Sequence, residues 1–190
     1  MKSNLDIITD SEHEKISLVL FIIAYMVGKL IDKEPYISGS GIPQIKAIIS
    51  GYIKNRPLST IINKFIGGTL SILSGLSLGR EGPSVQLDAC TGDIISKFFK
   101  SSRLQRRLLI SSGASAGLSA AFNAPLSGVL FCLEEIYNYF SPVVLLSTTV
   151  AAVAADFIYK HFFGLNPVFN FTSTTALPLE NYWFLLFLVL

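Results

Sequence analysis

Apolar residues fall into runs separated by charged clusters or by short stretches rich in glycine and proline. The runs cover 16–31, 65–78, a mixed stretch at 84–99, the pair 108–121 and 126–135, then 141–163 and 182–190. Two uncharged stretches, 108–133 and 136–155, are each long enough to cross a hydrocarbon layer of roughly 30 Å, which takes about 20 helical residues. Other runs are too short to span at 1.5 Å per residue. They are interrupted at GSGIP (39–43), GREGP (79–83) and AFNAP (121–125), where glycine, proline and asparagine break a helix. The pattern predicts an all-α integral membrane protein with broken and re-entrant helices. Non-helical backbone at membrane depth persists only where protein buries it or a watery cavity lines it, so each interruption marks a pathway.

Composition agrees with this. The chain is 51% hydrophobic and 15% charged, whereas a soluble domain averages about 25% charged. Fifteen Lys and Arg against 13 Asp and Glu leave a net charge of +2, which gives no footing to a nucleic-acid partner. Charge instead acts by position. The basic connections at 54–56 and at Lys97, Lys100, Arg103, Arg106 and Arg107 are both expected on the cytoplasmic side. The run 65–78 then goes out and 84–99 comes back, and the two segments after Arg107 form a hairpin returning near Glu134 and Glu135. Cys90 and Cys132 lie in apolar surroundings without CxxC spacing, so inert buried thiols are expected rather than a disulfide or a metal site. Residues 1–15 read as a polar tail without the basic start and apolar core of a cleaved signal, and 16–190 as a multi-pass membrane domain. The chain stops inside the apolar run 182–190, and is expected to be a piece of a longer protein.

Chemistry concentrates at the interruptions. Glu81 sits in Gly79-Arg80-Glu81-Gly82-Pro83, where an ionised carboxylate between apolar runs is costly without a role or a partner. Pro83 suits the first turn of a helix, so a helix starts at Glu81. Its free N–H groups and dipole favour an anion, and the Glu81 carboxylate can take that place itself. A capping carboxylate paired with Arg80 is the plainer reading. Gly39-Ser40-Gly41-Ile42-Pro43 repeats the arrangement: the glycines let the backbone turn, Ser40 offers a hydroxyl, and Pro43 opens a helix through 45–53. A simple Ser40 cap is again the plainer alternative. Two helix starts with neutral donors suit a site that holds an anion weakly enough to release it.

The stretch 113–124 is mostly Gly, Ala and Ser, which reads as close helix packing. It contains a formal GxSxG, but a serine hydrolase needs a preceding strand and a histidine base. His13 and His161 stand in the tail and at a helix end, so no enzyme is expected. Glu134 and Glu135 close the segment 126–135, where the dipole and their mutual repulsion disfavour two anions and make either a proton acceptor.

GSGIP, GREGP and AAFNAPLSGVLFCLEE, in this order and spacing, resemble the CLC family of chloride channels and chloride/proton antiporters. The resemblance runs from about residue 36 to the end and covers the first half of a CLC-type inverted repeat. It implies an all-α inverted repeat in a homodimer in the cell membrane, with chloride, protons and the lipid bilayer as partners and no cofactor. It makes Gly39, Ser40, Gly41, Ile42, Pro43, Gly79, Arg80, Glu81, Gly82 and Pro83 the chloride-binding set. Ser40 is then the hydroxyl at the central site, and its being serine implies chloride rather than nitrate. Glu81 is implied as the external gate, which also passes the proton, and Glu135 as the internal proton-transfer glutamate. Parts of the family site from the second repeat have no counterpart here, so the segment alone is not expected to transport. The alternatives are a passive voltage-gated chloride channel, which usually has an apolar residue where Glu135 stands, and a non-transporting fragment. Asn170-Phe171-Thr172 is a formal glycosylation sequon.

Overall fold

Proline sets most helix starts in this chain, because the first helical position loses nothing from its missing N–H and gains from its fixed φ. A computed structural model describes residues 4–164. The run 182–190 and the Asn170 sequon lie outside the described residues. The elements are α1 (Asn4–Lys33), a 3-10 turn (Pro35–Ile37), α2 (Ile42–Ser50), α3 (Pro57–Leu73), α4 (Glu81–Phe98), α5 (Arg103–Phe122), α6 (Pro125–Phe131), a π-helical turn (Cys132–Tyr137) and α7 (Pro142–Phe163), with no strand among the described residues. Proline stands at the start of the 3-10 turn, α2, α3, α6 and α7.

Several boundaries differ from the sequence reading, each for a local reason. The stretch 108–133 is not one crossing: α5 ends at Asn123, which adopts the left-handed conformation (φ 56°), and Pro125 opens a separate short helix. The second uncharged stretch becomes helical only at Pro142. Helix α2 stops at Ser50 instead of reaching 53, because Gly51 caps it with a left-handed backbone. Helix α3 begins at Pro57, well before the apolar run at 65. At the other end of the chain, α1 extends through the polar segment from Asn4. A capping box fixes the start of α5: Ser102 N–H donates to Gln105 Oε1 at 2.9 Å, and Gln105 N–H donates to Ser102 Oγ at 3.4 Å.

The packing inverts the pattern of a soluble protein. Ser111, Ser115, Ser119 and Thr148 are completely buried, while Val143, Leu146, Val150 and Phe157 of α7 are exposed. Ser119 Oγ donates to the Ala152 carbonyl at 2.9 Å, tying α5 to α7. Such interhelical bonds contribute about 0.6 kcal/mol each in a membrane. The stretch 113–124 provides the close approach expected of it. A Cβ on Gly113 would lie 2.8 Å from the Asp88 carbonyl carbon, so α4 and α5 touch backbone to backbone. Helix α7, with 22 residues, is the one described helix long and apolar enough to cross a membrane by length and composition.

Candidate functional site

Two helix starts meet at one cavity of about 450 Å³ between α1, α3 and the loops that precede α2 and α4. Gly39, Ser40, Gly79, Glu81, Gly82 and Pro83 line it. Six residues of the expected set are thus brought together. Gly41, Ile42, Pro43 and Arg80 are not among the lining residues. Gly41 is buried instead beneath Gln86, where a Cβ would come within 2.7 Å of the Gln86 side chain. Its left-handed φ of 91° forms the N-cap of α2.

The contact between the two starts is direct. Gly82 packs on the backbone of Ser40, and a Cβ there would sit 2.8 Å from Ser40 Cα and 2.9 Å from its carbonyl carbon. Ser40 Oγ accepts a hydrogen bond from Ile42 N–H at 3.4 Å, which leaves the hydroxyl hydrogen available to donate elsewhere. Helix α4 begins at Glu81, with Arg80 as N-cap and Glu81 as the acidic residue of its first turn. The first intrahelical donor is Ser84 N, bonded to Arg80 O at 3.1 Å, so the Glu81 and Gly82 N–H groups precede the bonded ladder. The Glu81 carboxylate folds back against Gly79, close to the positive end of the helix, where a negative group gains about 0.3–1 kcal/mol. No ion pair joins it to Arg80 among the described residues.

A buried lysine, which the sequence reading passed over, organises the loop before α2. Lys64 lies in α3 and lines the cavity, only 6% exposed. Its Nζ donates to the Ile37 and Gly39 carbonyls, both at 2.7 Å. Gln44 Nε2 takes the Ser38 carbonyl at 3.0 Å, and fully buried Gln86 donates to the Tyr36 carbonyl at 2.7 Å. Four successive carbonyl oxygens are therefore held by donors. An anion near Ser40 meets N–H and O–H hydrogens and a neighbouring cation rather than carbonyl lone pairs. The signal in the sequence was a charged residue beside an apolar run, which in a membrane chain marks function by default.

Glu135 stands apart from this cavity. Its Oε1 accepts from Lys46 Nζ of α2 at 3.0 Å, with the carboxylate side chain 51% exposed. The expectation that Glu135 ends a helix is corrected, because the wide turn carries the helical path on to Tyr137. The argument from a helix C-terminus therefore no longer applies to it. Lys46 lies one turn into α2, whose first residue follows the GSGIP glycines, so the short helix links Glu135 to the anion-facing loop. At the opposite end of α2, the two basic connections come together as expected. Lys54 and the cations from Lys97 to Arg107 surround a second cavity. Cys90 and Cys132 are both free and buried.

A family profile described as "Voltage gated chloride channel" matches residues 19–190. The chain belongs to the voltage-gated chloride channel family. Relatives in this family include the H(+)/Cl(-) exchange transporter 5 of Cavia porcellus, 44% identical over 141 residues, which are 72% of this chain and 18% of that protein. The H(+)/Cl(-) exchange transporter 3 of Homo sapiens is 42% identical over 141 residues, 72% of this chain and 17% of its own length. The chain thus spans less than a fifth of the curated relatives it matches. Among solved structures, that of a slow cyanobacterial Cl-/H+ antiporter superposes with a TM-score of 0.78 at 31% identity, covering 91% of this chain and 42% of that one. These relatives are transporters by name, and the fold of this chain is that of the family's antiporters.

Proposed function

We propose that this chain supplies one part of a chloride/proton antiporter, with the cavity at Ser40 and Glu81 as its anion site. The observation that carries the reading is the meeting of two helix starts, from GSGIP and GREGP, at one cavity with a single carboxylate tethered at its rim. Neutral donors and a partial positive helix end hold chloride without the strength of a full ion pair, so that the anion can leave. Glu81 competes for the same place when ionised and withdraws when protonated, which couples the two ions. Ser40 donates its hydroxyl hydrogen to chloride. Glu135 exchanges protons with water on the side of the basic connections. The names of the relatives support exchange over passive conduction. In this reading the complete protein is a homodimer in the cell membrane, with lipid against the apolar faces of α1 and α7.

The test uses a chimera in which this segment replaces the matching segment of a full-length relative, reconstituted in liposomes with both ions followed. Glu81→Gln removes the titrating charge and keeps the shape. Chloride flux is expected to persist and chloride-driven proton movement to stop. Unchanged proton movement per chloride in that variant overturns the assignment of Glu81, and a parent chimera that moves chloride but no protons replaces the antiporter reading with the channel.

A further inference from the structure

The second cavity, at the basic end of the bundle, has a volume of about 460 Å³, within the range of small-ligand sites. Lys54, Lys97, Arg103, Arg106 and Arg107 all line it. Three of these cations are spent on the fold. Arg106 Nε meets the fully buried carboxylate of Asp93 at 2.6 Å and Lys97 Nζ meets it at 3.2 Å, with Asn55 donating to the same group at 3.0 Å. Arg107 Nε donates to the Ile49 carbonyl near the end of α2 at 2.7 Å. Lys54 and Arg103 have no such partner among the described residues. Arg103 nonetheless lies over the mouth, its guanidinium close enough to Gly51 that a Cβ there would be 2.9 Å away. Asp93 balances only part of the charge, so the cavity keeps a strong excess of positive potential with two unspent donors.

The surroundings place this cavity at headgroup depth. Phe98 and Phe99, at the end of α4, are exposed and stacked edge to face at 5.1 Å, as in the aromatic belts that sit at membrane interfaces. An apolar groove floored by Pro57, Leu58, Ile94 and Phe98 begins at Lys97, the residue it shares with the basic cavity. A charged pocket that continues into an apolar channel matches a phosphate head joined to an acyl chain, and basic pockets between membrane helices bind anionic lipid heads on this electrostatic ground.

We propose that this cavity binds the phosphate of an anionic phospholipid, with Lys54 and Arg103 as the specific donors and the Leu58 groove taking one acyl chain. The site lies at the opposite end of α2 from the transport cavity, and the proposal does not rest on the antiport reading. Native mass spectrometry of the purified chain in detergent tests it, with dioctanoyl phosphatidic acid as probe and dioctanoyl phosphatidylcholine, glycerol 3-phosphate and inorganic phosphate as comparisons. Phosphatidic acid is expected to bind at least tenfold more tightly than phosphatidylcholine. Removing one cation near an anionic head weakens binding about fivefold, so Lys54→Gln with Arg103→Gln should weaken phosphatidic acid about 25-fold. Lys100→Gln, at the same end but outside the cavity, should change it less than twofold. Leu58→Gln should weaken phosphatidic acid and leave glycerol 3-phosphate unaffected. Neither Lys54 nor Arg103 holds the fold, so the double variant should melt as the parent does. Equal losses from Lys100→Gln would reduce the site to diffuse surface charge, and inorganic phosphate binding as tightly as phosphatidic acid would make it a free-anion site. Either result overturns the proposal.

Discussion

Gly82→Ala probes the junction on which the site depends. The added methyl would stand 2.8 Å from Ser40 Cα and 2.9 Å from its carbonyl carbon, whereas ordinary contact begins at 3.4 Å. The shortfall is about 0.6 Å, and both obstacles are backbone, so no side-chain rotation relieves it. Either α4 backs away from the GSGIP loop or the loop bends. Overpacking of this kind costs about 1–3 kcal/mol. Replacing glycine by alanine in a helix returns about 0.5–1 kcal/mol. The net expectation is a loss of about 1–2 kcal/mol, which for a chain of this size lowers the melting temperature by about 3–6 °C. Gly28→Ala is the matched control, since Gly28 lies in α1 with nothing within 4 Å of an added Cβ. It should gain the helix term alone and melt about 2 °C higher. Circular dichroism melts in one detergent compare the two variants. If Gly82→Ala melts at or above the parent, the two helix starts are not held backbone to backbone, and the argument for a shared site loses its foundation.

Lys64→Met strips the donor from the Ile37 and Gly39 carbonyls and should destabilise the chain by about 3 kcal/mol, at about 1–3 kcal/mol for each carbonyl left without a partner; a loss under 1 kcal/mol in the same melts would mean that water replaces the ammonium. Asp93→Asn leaves Arg106 and Lys97 without their buried counter-charge. Breaking a buried pair costs about 3–5 kcal/mol, but the partner side chains are 33% and 47% exposed and rehydrate, so a loss of about 2 kcal/mol is expected. In the chimera, Glu135→Gln should stop proton movement with chloride flux intact, and Glu134→Gln should do so less. Unaltered proton flux per chloride in Glu135→Gln removes that residue from the pathway.

Local chemistry was readable where a helix start is set by its own residues. Pro43 and Pro83 put α2 and α4 where the broken runs implied, with Glu81 as the first residue of its helix. The small residues at 113–124 gave the α4–α5 contact, and the two basic connections met at one end. What escaped the sequence depends on pairs distant along the chain. Lys64 reaches loop carbonyls 25 and 27 residues away, and its charge made it look like the boundary of a run rather than a member of a helix. Glu135 and Lys46 are 89 residues apart, and no period links them. Asn123 has no side-chain signature that separates a left-handed helix end from an ordinary polar residue. Arg106 and Lys97 counted as a topological signal, while their bonds to Asp93 show them also building the floor of a cavity.

The wide turn at Cys132–Tyr137 also has a consequence for how the segment tolerates change in length. A π-helical turn holds one residue more than an α-turn, the geometry that a single inserted residue leaves in a helix. Deleting one residue from 129–131 would let the path relax to regular α geometry. Each residue of an α-helix advances about 100°, so the side chains beyond the turn would swing by about that angle relative to those before it. Glu135 would then point away from Lys46 while Pro125 still anchored the helix start. The segment therefore carries a stored register offset, and the ion pair at 3.0 Å reports which of the two windings the backbone has taken.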